Sequence, residues 1–77
     1  MPEMYRDMRL HFEKGEMLSI TQSAKQLVSL QYERNDVVLE RGRFRIRGDV
    51  LEIFPAYMQE AYRIELDWDE IVRIRRF

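Results

Sequence analysis

Apolar residues recur along this chain with two periods, and the change of period divides it. Over the first third the spacing is helical. Met4, Met8 and Phe12, with Tyr5 beside them, form one stripe. Pro2 suits a first helical turn, Glu3 and Asp7 suit its N-terminal charge, and Gly15 reads as its stop. Ser19-Ile20-Thr21-Gln22 is a capping box, the Ser19 hydroxyl accepting from the Gln22 amide while the Gln22 side chain reaches back. It opens a second helix, with Ile20, Ala24, Leu27 and Val28 on one face, running to about Leu30.

From Val37 onward the period is two. Arg43-Phe44-Arg45-Ile46-Arg47 alternates as a half-buried strand does. Gly48-Asp49 fits a two-residue type II′ hairpin turn, which places Arg47 opposite Val50, Ile46 opposite Leu51, Arg45 opposite Glu52 and Phe44 opposite Ile53. Both apolar pairs then share one face and the Arg45–Glu52 pair takes the other. Pro55 ends that strand, and Tyr57 to Glu60 form a turn. Tyr62, Ile64 and Leu66 alternate with Arg63 and Glu65 in a third strand, Asp67-Trp68-Asp69 turns the chain, and Ile71 to Ile74 form a fourth. The expected fold is α+β, two N-terminal helices packed on a four-stranded antiparallel meander. Its helix-free face would carry Arg43, Arg45, Glu52, Arg63 and Glu65.

Composition bounds what such a domain can do. Seventy-seven residues, 45% of them hydrophobic, make a single domain (residues 1–77) with one core. The absence of cysteine excludes disulfides, thiolate nucleophiles and sulfur-ligated metals, and fits the cytoplasm. No apolar run nears the roughly 20 residues of a membrane span. Net charge is −1, so bulk electrostatics would not condense the chain on nucleic acid. Of its 13 basic residues only Lys14 and Lys25 are lysine. Arginine's planar fork favours bidentate pairing at interfaces, although the bias also follows from a GC-rich or thermophilic source.

Candidate chemistry is sparse. His11 is the one histidine, placed on the first expected helix with no triad partner or ligand set arranged around it in sequence, so packing explains it better than catalysis or a metal. Asp67, Asp69 and Glu70 lack the regular oxygen spacing of a calcium loop, and a solvated acidic turn explains them. Gly15, Gly42 and Gly48 stand apart, so there is no phosphate-cradling loop. Arg47-Gly48-Asp49 spells an integrin-binding tripeptide, but the hairpin already accounts for Gly48. Arginines interleaved with Phe44 resemble a nucleic-acid-binding sheet. The register turns Phe44 inward, however, and Glu52 and Glu65 on the outer face would repel phosphate. A non-enzymatic protein-interaction domain follows, without cofactor, metal, small-molecule substrate, membrane or direct nucleic-acid partner. Against it stands the plainer reading of a solvated sheet face held by cross-strand ion pairs, each worth less than about 1 kcal/mol.

Leu27-Val28-Ser29-Leu30-Gln31-Tyr32-Glu33-Arg34-Asn35-Asp36, followed by the run from Gly42 to Ala56, closely resembles domain 2 of the UvrB family. That family is the damage-handling, helicase-like subunit of the bacterial excision nuclease. Arg63-Ile64-Glu65 and Asp69-Glu70-Ile71 also fit, and Pro2 to Arg6 fits more loosely. The transcription-repair coupling factor carries a related domain whose motifs are less similar. The resemblance implies a platform that docks UvrA, and it carries charged contact positions onto Arg34, Arg45, Arg47, Asp49 and Glu65. The family usually has two aromatics and a glycine where Leu66, Asp67 and Trp68 stand, and Glu16 to Lys25 also departs from its pattern. A second reading is therefore an engineered binder or oligomer on the same scaffold, with a redesigned apolar surface at Tyr57, Met58 and Trp68. A free-standing chain beginning at Met1 would fit it.

Overall fold

A computed structural model describes residues 4–6 and 11–77. It opens with two short antiparallel strands, β1 (Met4–Arg6) and β2 (His11–Glu13), in which Tyr5 faces Phe12. One helix follows, α1 (Ile20–Ser29). Five strands then build a single sheet: β3 (Glu33–Arg34), β4 (Arg43–Arg47), β5 (Val50–Phe54), β6 (Tyr62–Asp67) and β7 (Glu70–Arg76). They lie in chain order, β3 parallel to β4 and the rest antiparallel.

Two expectations are thereby corrected. The first expected helix is absent, since Met4–Arg6 and His11–Glu13 are strands; Pro2, Glu3, Asp7 and Met8 lie outside the described residues. A four-residue apolar spacing fits a strand's period of two as well as a helix's 3.6, so Met4, Met8 and Phe12 could not discriminate. The sheet also has five strands and is mixed. The four-strand meander is present as β4 to β7, but β3 adds a parallel edge through Glu33 N–H to Gly42 O (3.0 Å) and Asn35 N–H to Phe44 O (2.9 Å).

The helix is bounded as its ends require. The Ser19 hydroxyl accepts from Gln22 N–H at 3.3 Å. At the far end Gln31 takes φ 76°, Gln31 N–H bonds Val28 O (3.0 Å) and Tyr32 N–H bonds Leu27 O (2.9 Å). This is a Schellman stop with glutamine in the usual glycine position. Leu27 is in the buried core cluster and Tyr32 packs against that cluster. The stop turns the chain straight into β3.

Core residues come from one face of every long strand. Phe44, Leu51, Ile53, Ile64, Leu66, Ile71 and Ile74 are buried there and meet Leu27 of α1 and Phe12 of β2. The helix packs at the β3 side of the sheet and β2 at the β7 side. Ile71 and Ile74 both point inward although three apart, because the register shifts: Leu66 faces Ile71 while Glu65 faces Arg73, leaving Val72 as the extra residue of a bulge. The connection to α1 runs along the start of β7, with Gly15 N–H to Ile71 O (2.7 Å), Ile71 N–H to Glu16 O (2.8 Å) and Leu18 N–H to Asp69 O (2.7 Å). It covers part of an edge that would otherwise invite pairing.

Both tight turns at one end of the sheet are hairpins. Gly48 has φ 58° and Asp49 has negative φ, which suits type II′. In the β6–β7 turn both central residues are left-handed, Trp68 at φ 53° and Asp69 at φ 66°, as in type I′. Trp68 is 91% exposed, so its side chain gains little packing in return for that backbone. Trp68→Gly should therefore stabilise the chain by about 0.5–1 kcal/mol, read as a higher urea midpoint at unchanged slope. A lower midpoint would show that the indole supports the turn.

Candidate functional site

The sheet face opposite the helix is a grid of charge set by strand register. One cross-strand row reads Arg45, Glu52, Arg63, Arg75, and the next reads Arg47, Val50, Glu65, Arg73. Glu52 is the hub. Its side chain is only 5% exposed, yet each carboxylate oxygen accepts from an arginine: Oε1 from Arg45 Nε and Oε2 from Arg63 Nε at 2.7 Å. Burial alone would raise its pKa, but the bonds from Arg45 and Arg63 and their positive charges outweigh burial and hold it below its ordinary value. Farther along the face Glu65 meets Arg75 Nε at 3.8 Å. Arg63 also lies over the Phe77 ring, 5.1 Å from its centroid.

Arg45, Arg47 and Glu65 line one shallow depression together with Val50, Glu52 and Arg63. Arg45 uses Nε on Glu52, and among the described residues its terminal NH groups are left for another acceptor. Asp49 sits at the edge of this face, in the turn after Arg47, where its carbonyl accepts from Leu66 N–H (2.9 Å). Arg34 is elsewhere. It pairs in parallel with Phe44 and lines the helix side with Ala24, Lys25 and Val28. The two sides are joined by Asp36. Arg34 Nε and Nη2 reach its carboxylate at 3.1–3.3 Å, Ile46 N–H donates to the same carboxylate at 3.2 Å, and Arg47 Nη2 donates to its carbonyl at 3.3 Å. The Arg34 bond, then the Ile46 amide, hold the Asp36 carboxyl below its ordinary pKa. No local pattern marks Asp36 for this role, because only the tertiary pairing of β3 with β4 brings it beside Ile46.

Tyr57, Met58 and Trp68 do not form one surface. The first two lie in the β5–β6 connection and Trp68 in the β6–β7 turn, at opposite ends of a six-residue strand, roughly 20 Å apart. Arg41 holds the first loop, its Nε donating to Met58 O at 2.8 Å and its Nη2 to Gln59 Oε1 at 3.1 Å. Phe44 is fully buried and offers no ring for a base to stack on.

His11 lies on a strand rather than a helix, and the Glu13-to-Glu16 turn brings two carboxylates beside it. Ligand atoms of His11, Glu13 and Glu16 lie within 4.8 Å of one another, all three residues being exposed. No helix among the described residues is long and apolar enough to cross a membrane.

Comparison with known proteins agrees over nearly the whole chain. A family profile described as the UvrB interaction domain matches residues 10–77. UvrABC system protein B of Treponema denticola is 68% identical over 77 residues, covering 100% of this chain and 12% of that protein. The protein of that name from Treponema pallidum (strain Nichols) is 64% identical over 76 residues, 99% of this chain and 11% of its own length. The one from Aliivibrio fischeri is 47% identical over 77 residues, again 99% and 11%. The chain thus spans about a ninth of the length of these relatives.

Proposed function

Because the chain belongs to the UvrB interaction domain family, we propose that it is a non-catalytic docking module that binds UvrA through its helix-free sheet face, within bacterial nucleotide excision repair in the cytoplasm. One observation carries this reading: Arg45, Arg47 and Glu65 converge on a single open depression, with Asp49 at its rim. Mixed-sign groups held by strand register recognise a complementary protein surface. They set orientation and association rate more than raw affinity. Arg34, on the other side of the β3–β4 edge, contributes if the partner wraps that edge, where Asp36 ties Arg34 and Arg47 together.

Charge reversal tests the face. Arg45→Glu and Glu65→Arg should each weaken UvrA binding at least about tenfold and flatten its dependence on salt, measured by titration at several ionic strengths. Affinity unchanged by both reversals would exclude this face as the contact. The wild-type glutamates matter equally, since a bare cationic face would attract nucleic acid instead.

A further inference from the structure

The turn end of the sheet carries a feature that the charged face does not use. Trp68 is the chain's one tryptophan and the most exposed of its large hydrophobic residues among those described, at 91%. It stands in a left-handed conformation, φ 53°, followed by Asp69 at φ 66°. Asp49, Asp67 and Asp69 line a shallow recess with it. On the neighbouring face, by contrast, Glu52 and Glu65 each meet arginine. The three turn aspartates make no ion pair among the described residues. Both hairpin turns lie at the same end of the sheet, because Val50 pairs with Glu65 and Leu66 bonds Asp49. The recess therefore continues the surface lined by Arg47, Val50 and Glu65.

We infer that Trp68 is the apolar anchor of the docking surface, seated in a pocket of the partner that is rimmed by lysine or arginine. The inference rests on the UvrA-docking reading and adds to it an apolar contact beside the charged face, particular to a chain with tryptophan at this turn. An exposed indole offers a large rigid apolar area with two side-chain torsions to order, which is why tryptophan dominates interface hot spots. Three carboxylates without cations around it complement a basic rim and disfavour an acidic one. Folding does not account for the residue, since glycine would make this turn with less strain.

The experiment uses the chain labelled with 5-fluorotryptophan, which yields one fluorine resonance, together with the variants Trp68→Gly and Arg45→Glu. UvrA is titrated against each. We expect Trp68→Gly to lose at least about tenfold in affinity while melting no lower than wild type. The fluorine resonance of the labelled wild-type chain should lose its H2O/D2O isotope shift on binding, as the indole leaves water. If Trp68→Gly binds within about twofold of wild type and the isotope shift persists, Trp68 is not the anchor; loss in Arg45→Glu alone would then leave the docking face standing. A resonance that shifts with the chain's own concentration would give the indole to a second copy and overturn the inference. No binding by any form would remove the docking reading and this inference with it.

Discussion

Phe44→Ala should remove about a third or more of the chain's stability. Phe44 is completely buried in β4, opposite Ile53, within the cluster that joins the sheet to Leu27 and Phe12. Truncating such a residue costs about 4 kcal/mol, the lost transfer energy plus the cavity left behind. A domain of this length has only about 4–12 kcal/mol in total. Circular dichroism melts should show a fall in Tm on the order of 15–30 °C. A fall corresponding to less than about 1 kcal/mol would mean the ring is outside the core. It would also reopen the nucleic-acid reading of the Arg43-Phe44-Arg45 segment, which depends on an accessible aromatic.

The second large effect is at Glu52. Glu52→Ala removes the acceptor of two arginines and leaves Arg45, 19% exposed, without its partner. Losing one side of such a pair should cost about 2–3 kcal/mol, below the value for a fully sealed pair because Arg63, 41% exposed, can turn to water. Glu52→Gln keeps an acceptor and removes the charge, so it should cost less. The pH dependence has a definite sign. Folding lowers the Glu52 pKa below its ordinary 4.5, so its contribution is complete above that value and is lost as pH falls through the lower, folded value. Asp36 has the same sign from its bond to Arg34, on an exposed edge. Urea denaturation of wild type and Glu52→Gln should converge as pH drops below about 4.5. Parallel curves down to pH 3 would show that Glu52 carries no stabilising charge.

Local features of the sequence were sufficient for the hairpin and for the second helix. Gly48 with alternating neighbours leaves one register that puts Phe44, Ile46, Leu51 and Ile53 on one face, and that register is present. The helix start at Ser19 follows from a side chain bonding its own third neighbour, which needs no tertiary contact. The Trp68 turn was also legible as a departure, since an l-residue with a bulky side chain seldom fits where φ is positive.

Other features depended on partners distant in the chain. At Met4 to Phe12 the apolar spacing suited helix and strand alike, and pairing of Tyr5 with Phe12 decided for strand. Glu33–Arg34 is too short to show a period, and it is a strand only because Gly42 and Phe44 offer it carbonyls. The same holds for the site. Sequence alone determined that Arg45, Glu52, Arg63 and Glu65 would share the outer face, because side chains alternate with a period of two along each strand. Only the tertiary structure decided that Glu52 is nearly sealed between two arginines, that Asp36 joins Arg34 to Arg47, and that Trp68 stands at the opposite end from Tyr57 and Met58. Those facts depend on which strands become neighbours, and long-range pairing carries no local periodic signal.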